Sequence, residues 1–83
     1  MEQKVLAALE PHFSSDLKAD IEFEPTTDRY NGYVLSEDFE GLSFLERQKR
    51  VFNILRPALG ADVQLISMLF TYTPDEYAIM EAS

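Results

Sequence analysis

The side chains that could do chemistry in this sequence fall into small groups, and each group lacks a part that a known reaction needs. The chain has no cysteine and a single histidine, His12. One imidazole without a second ligand makes neither a zinc site nor a catalytic triad. Acidic side chains cluster at two places, at Asp20, Glu22 and Glu24 and again at Glu37, Asp38 and Glu40. Three carboxylates at alternating positions are typical of a solvated strand face that resists strand addition. We therefore predict a protein that is not an enzyme.

Basic side chains are concentrated in one segment of an otherwise acidic chain. The chain has net charge −8, whereas residues 44–59 carry four bases and one acid. The four bases are Arg47, Lys49, Arg50 and Arg56. A basic helix can bind nucleic acid, but KH domains do so beside a G-x-x-G loop, which this sequence lacks. A solvated face or a protein contact is favoured, and nucleic-acid binding stays an alternative.

Length and composition limit the class of protein. Eighty-three residues allow one domain, 1–83, and 46% hydrophobic residues favour a folded chain over a disordered one. No apolar run approaches the ~20 residues that span a bilayer. The N-terminal residues lack the basic and apolar stretches of a secretory signal. We expect a cytoplasmic protein that does not bind membranes.

Hydrophobic periodicity predicts a helix followed by a hairpin in the first half of the chain. Val5, Leu6 and Leu9 have helical spacing, and Pro11 ends that helix near Leu9 or Glu10. Residues 19–24 alternate strictly, which predicts a strand with Ile21 and Phe23 inward. The turn formers of residues 25–32 predict a loop, and residues 33–36 a second, short strand.

Capping signals predict the elements of the second half. Ser43 stands three residues before Glu46, a capping box that predicts a helix running to Gly60. Residues 63–73 predict a long third strand, and Thr73 begins a terminal helix. The order αββαβα predicts an α+β fold with a three-stranded mixed sheet and helices packed on one face.

The third strand has apolar side chains on both of its faces. One face contains Gln64 and four candidate partner-binding side chains, Ile66, Met68, Phe70 and Tyr72. Either the terminal helix covers this face through Tyr77 and Met80, or the face is exposed and binds a partner or a second copy of the chain. The exposure of Met68 and Phe70 distinguishes the two interpretations.

Two stretches resemble the BolA family. Residues 33–43 (YVLSEDFEGLS), with 45–47 (LER) and 51–52 (VF), resemble its strand, loop and helix start, and residues 69–77 (LFTYTPDEY) resemble its closing T-Y-T-P-E-E-W type run. The resemblance covers most of the chain, from about Val5 to Tyr77. It implies a KH-like fold, in agreement with the order of elements read from the sequence alone.

The departures from this family concern its metal ligands. BolA-like proteins usually have a histidine where Gln48 stands here, a second one at Gln64, and a Cys or His in the loop at residues 25–32. In that family these side chains help hold a [2Fe–2S] cluster shared with a monothiol glutaredoxin. Because an amide is a poor iron ligand, we expect no cofactor. The resemblance then implies a non-catalytic adaptor in iron or redox regulation, with a monothiol glutaredoxin as a candidate partner.

Overall fold

Six main elements follow one another in the predicted order. The computed structural model describes residues 1–82, in which we label α1 (Glu2–Leu9), β1 (Lys18–Glu24), β2 (Arg29–Leu35), α2 (Phe44–Leu59), β3 (Ile66–Tyr72) and α3 (Pro74–Ala82). Short 3-10 segments lie at Glu10–His12, Glu37–Phe39 and Gly60–Leu65. The αββαβα order is confirmed.

The three strands form one mixed sheet with β2 in the middle. β1 and β2 pair antiparallel from Lys18 opposite Leu35 to Glu24 opposite Arg29. β3 pairs parallel to β2, so α2 makes the crossover that a parallel pair requires. The α+β fold with a mixed sheet is confirmed.

The core lies between one face of this sheet and the helices α1 and α2. Val5 and Leu9 of α1 and Val51 and Leu55 of α2 are fully buried. They pack against side chains of all three strands and of the 3-10 segment before α2, namely Ile21, Val34, Phe39, Ile66 and Leu69. Phe44 and Leu45, at the start of α2, lie outside this core and are both more than half exposed.

The ends of α2 are set by the predicted signals. The Ser43 hydroxyl accepts a hydrogen bond from the Glu46 backbone N–H at 3.2 Å, and the Glu46 carboxylate accepts one from the Ser43 N–H at 2.9 Å. Gly60 follows the helix at φ +58°, which a residue with a Cβ adopts only with strain. None of the helices within residues 1–82 is long and apolar enough to cross a membrane.

The second strand is longer than predicted, because Gly32 lies inside it. β2 begins at Arg29, and the hairpin turn occupies only residues 25–28. Gly32 pairs with Ile21, and a Cβ at Gly32 would collide with the backbone of Asp20. The prediction of a loop over residues 25–32 is therefore wrong, since this glycine permits close strand packing instead of a turn.

The third strand is shorter than predicted and contains an irregularity. Residues 60–65 form a 3-10 segment, and the pairing with β2 shifts between Tyr30 and Asn31, which lie opposite Ile66 and Met68. One residue is thereby inserted between those two positions. Ile66 consequently turns into the core at 8% exposure. The expectation that Ile66 shares the exposed face of Met68 and Phe70 is wrong.

Substitution of Gly32 tests the close approach of β1 and β2. We expect Gly32→Ala to lower the free energy of unfolding by about 2–3 kcal/mol, because the added methyl group must push the backbone of Asp20 aside. Urea denaturation measures the change. Asn31→Ala on the opposite face is the control, and an equal loss in both variants would contradict the packing argument.

Candidate functional site

Arg47 lies inside the fold instead of on a basic surface. It is 9% exposed. Its Nε donates to the carbonyl oxygen of Leu42 at 3.0 Å and its Nη1 to that of Thr71 at 3.2 Å. The two terminal nitrogens also donate to both carboxylate oxygens of Glu76, at 2.6 and 3.0 Å. The expectation that Arg47 contacts a partner is corrected, because its guanidinium is engaged by three elements of its own chain.

Arg50 is likewise held by the rest of the chain. Its Nη2 donates to the carbonyl oxygen of His12 at 3.0 Å, and its guanidinium lies 4.5 Å from the centre of the Phe13 ring. Lys49 and Arg56 are exposed. Of the four bases of α2, Arg47 and Arg50 therefore join the helix to neighbouring segments, and Lys49 and Arg56 face solvent.

The acidic loop before α2 also has a structural use. Asp38 accepts hydrogen bonds from the backbone N–H of Ser14 at 2.8 Å and from its hydroxyl at 2.9 Å. These bonds hold the pKa of Asp38 below its ordinary value. The loop is thereby joined to the segment after α1. Its other two acids, Glu37 and Glu40, are exposed.

An apolar groove lies where α2 runs beside β3. It has a volume of about 280 Å³. It is lined by Phe44, Gln48 and Phe52 of α2 and by Ser67, Met68, Leu69 and Phe70 of β3. Phe44 is 62% exposed, Met68 52% and Phe70 41%. A set of large apolar side chains with this exposure is typical of a surface that another molecule covers.

Helix α3 covers only one end of the sheet face that bears Met68 and Phe70. The Tyr77 ring stacks on the Tyr33 ring with centroids 4.8 Å apart, and the two hydroxyls share a hydrogen bond of 3.0 Å. Tyr72 is half-buried beside them, and it also stacks on Phe70. Tyr77 thus covers the end of the face near Tyr72, while Met68 and Phe70 stay exposed, and whether they bind a partner stays a prediction.

The side chain of Gln48 caps a backbone carbonyl at the edge of the sheet. Its Nε2 donates to the backbone carbonyl oxygen of Leu69 at 2.7 Å. Arg47 binds the carbonyl of Thr71 two residues further along the same strand. Two alternate carbonyls of the edge strand are therefore capped from α2, which hinders addition of another strand there. The helical position of Gln48 is readable from the sequence, but the carbonyl that it meets is not.

Comparison with solved structures shows what the chain resembles. It is similar to a BolA protein homologue from Coxiella burnetii, with 31% identity over 93% of this chain and 90% of that one and a TM-score of 0.69. The chain belongs to the BolA family. The fold is also that of BolA1 from Arabidopsis thaliana (21% identity, TM-score 0.70) and of the BolA domain of SufE1 from Arabidopsis thaliana (19% identity, TM-score 0.68). Each of these two matches covers 90% of this chain and 93% of the other. The sequence matches no protein-family model and no curated protein.

The positions at which BolA proteins usually have histidines offer poor donors for iron in this member. Gln48 uses its amide nitrogen on Leu69, and Gln64 lies exposed on the 3-10 segment before β3. Within residues 1–82, no three His, Cys, Asp or Glu side chains are placed to hold a metal ion. Amide groups are weak ligands for the soft or borderline iron of a cluster. These residues do not fit an iron–sulfur cluster.

A wider depression lies beside β1, between residues of α1 and α3. It has a volume of about 780 Å³ and is open, and its lining includes Glu2, Lys18, Tyr33 and Tyr77. Hydrogen bonds to Glu81 and to Tyr33 raise the pKa of Tyr77 above its ordinary value. A phenol that keeps its proton at neutral pH is a poor general base. The raised pKa therefore argues against Tyr77 as a general base in this depression.

The ion pair of Arg47 and Glu76 predicts a specific loss of stability in acid. Hydrogen bonds from Arg47 and from the Thr73 backbone lower the pKa of Glu76 to about 2. A depressed pKa adds stability above the ordinary value near 4.5, and that stability disappears as the pH falls toward 2. Because the Glu76 side chain is 44% exposed, solvent screening limits the contribution to about 1 kcal/mol.

We expect Glu76→Gln to lower the free energy of unfolding by about 1 kcal/mol at pH 7 and by less at pH 3. Urea denaturation at both pH values measures it. Asp75→Asn, a neighbouring exposed acid in the same helical turn, is the control. An equal effect of the control would show that the helix N-terminus, and not the ion pair, is responsible.

Proposed function

We propose that this BolA family member is a non-catalytic adaptor that binds a protein partner in the cytoplasm. Its family consists of proteins that are generally not enzymes. The observation that carries the proposal is the groove beside β3, where Phe44, Met68 and Phe70 together leave a large apolar surface exposed. Exposed apolar surface of this kind favours a macromolecular partner.

The proposed partner is a monothiol glutaredoxin, and the proposed process is iron or redox regulation. The support is family membership, since the family resemblance implies this partner class. In this proposal the chain supplies no ligand to a shared cluster. Gln48 and Gln64 stand where imidazoles are usual, and Gln48 already binds the backbone of β3. All cluster ligands would then come from the partner and from other molecules.

The nucleic-acid alternative depends on the basic segment, which the fold divides. Arg47 and Arg50 donate to backbone carbonyls and to Glu76, so only Lys49 and Arg56 of the four bases project into solvent. The net charge of −8 repels phosphate further. Protein binding is therefore the better supported function.

The partner can be tested by anaerobic reconstitution with iron, sulfide and a monothiol glutaredoxin. We expect a complex by size-exclusion chromatography whose visible spectrum equals that of the glutaredoxin-only cluster. Gln48→Ala and Gln64→Ala should leave this spectrum unchanged, because neither amide touches iron. A charge-transfer band that either substitution removes would contradict the absence of ligands, and failure to form any complex would remove glutaredoxin as the partner.

Substitution of the groove tests where the partner binds. We expect Phe70→Ser to weaken the complex at least tenfold, since large side chains at the centre of an interface dominate its affinity. Isothermal titration calorimetry measures the affinity. Ile79→Ser on α3 is the matched control, because Ile79 is exposed but lies outside the groove. Equal affinities of the two variants would place the interface elsewhere.

The exposed bases can be tested with a fluorescent oligonucleotide. At low salt we expect no binding, because the two exposed bases of α2, on a chain of net charge −8, release few counterions. Binding that weakens as salt rises and that disappears in Lys49→Ala/Arg56→Ala would instead favour the nucleic-acid alternative.

A further inference from the structure

The sheet face opposite α1 and α2 changes from apolar to acidic across its width. The register places Met68 beside Asn31 and Asn31 opposite Glu22. It places Phe70 beside Tyr33 and Tyr33 opposite Asp20. Two neighbouring rows thus each run from an exposed apolar side chain on β3 to an exposed carboxylate on β1. We call these two rows the graded face.

The graded face has limits on two sides. The next row contains Tyr72, Leu35 and Lys18, and Tyr77 of α3 lies against it, with its ring 6.2 Å from that of Tyr72. Tyr77 also stacks on Tyr33, so α3 borders the graded face at its second row. Beyond β3, Phe44 and Phe52 of α2 continue the apolar part into the groove. The apolar edge is therefore wide and continuous, whereas the acidic edge is the outer strand β1.

The dimensions of the graded face suit a helix that lies along the strands. Strands are about 4.8 Å apart, so the apolar and acidic edges are about 10 Å apart, close to the 10–12 Å diameter of an α-helix. The two rows are about 6.8 Å apart along the strands, and residues i and i+4 of a helix are about 6 Å apart. One helical turn therefore reaches from the first row to the second.

Strand addition would be hindered beside this face. Gln48 and Arg47 occupy the carbonyl oxygens of Leu69 and Thr71 on the edge of β3. A partner must then use side chains on the face instead of backbone pairing. A second copy of the chain is a poor occupant, because each copy has net charge −8 and two such copies repel one another.

We infer that the graded face binds an amphipathic helix of a partner protein. Two large apolar side chains of that helix, one turn apart, contact Met68 and Phe70, and Lys or Arg side chains on the adjacent flank pair with Asp20 and Glu22. This inference rests on the proposed protein-binding function and names the chemistry of the partner. The flank of the partner helix is inferred to be basic because the edge of the graded face at β1 is acidic.

Two synthetic helical peptides of about 15 residues test the inference. Both have leucines at i and i+4, and the adjacent flank contains lysines in one and glutamates in the other. Fluorescence anisotropy at low salt should show binding of the lysine peptide alone. Asp20→Asn/Glu22→Gln should weaken it about three- to tenfold, as expected for two exposed ion pairs. Met68→Ser/Phe70→Ser should weaken it at least tenfold.

Charge reversal gives the sharpest test. In Asp20→Lys/Glu22→Lys, the glutamate peptide should bind better than the lysine peptide. Glu10→Gln/Glu37→Gln removes two exposed acids elsewhere and should leave both affinities unchanged. Circular dichroism checks that each variant folds, and because Asp20 and Glu22 are exposed, their variants keep the test usable where a groove variant fails to fold.

Several results would overturn the inference. Equal binding of both peptides, absence of binding by the lysine peptide, or an unchanged preference after charge reversal would each do so. A dimer that Met68→Ser/Phe70→Ser converts to a monomer would assign the face to a second copy of the chain.

If a glutaredoxin complex depends on Phe70 while both peptides fail, the proposed function stands and the inference fails. Loss of the glutaredoxin complex alone, with the peptide results as expected, removes the proposed partner and leaves the inference intact.

Discussion

The buried guanidinium of Arg47 is the interaction on which the arrangement of the other elements depends. A charge taken out of water needs several hydrogen bonds and a counter-charge to be tolerated. Here the carbonyls of Leu42 and Thr71 and the carboxylate of Glu76 meet that need. The loop before α2, the edge strand and α3 must therefore stay in fixed relation to α2. Lysine lacks the planar fork that reaches two carbonyls and a carboxylate at once.

The burial of Arg47 also affects which surfaces of the protein stay exposed. The basic segment is the most conspicuous feature of the charge distribution, yet two of its four bases act inside the molecule. The side chains of Arg47 and Gln48 hold α2 against the edge of β3, whereas Arg50 joins α2 to the segment after α1. The strand edge is thereby protected, and the exposed apolar side chains are left on the sheet face and in the groove. The packing that stabilises the fold therefore caps the strand edge and leaves apolar side chains exposed.

Local signals in the sequence were sufficient for the order and type of the elements. The capping box at Ser43 and Glu46 and the glycine at position 60 act through neighbours a few residues away, so their effects can be read from the chain. Gly32, Ile66 and Arg47 could not be interpreted in this way. The contact of Gly32 with β1, the register shift that buries Ile66 and the carbonyls around Arg47 arise from pairing between distant segments. The sequence shows that the exposure of Met68 and Phe70 distinguishes the two interpretations of the third strand. It does not show how exposed they are, because that depends on where α3 packs.

The glutamine at position 48 connects the departure from the family to the packing of the sheet. A neutral imidazole has one N–H donor and one acceptor nitrogen, and a metal ion takes the acceptor. An amide keeps its donors at every pH and is a weak metal ligand, so Gln48 can cap the Leu69 carbonyl permanently. A side chain that caps the edge strand in this way is held against the backbone of β3. In this member of the family, the side chain at position 48 therefore contributes to the packing of α2 on the edge strand.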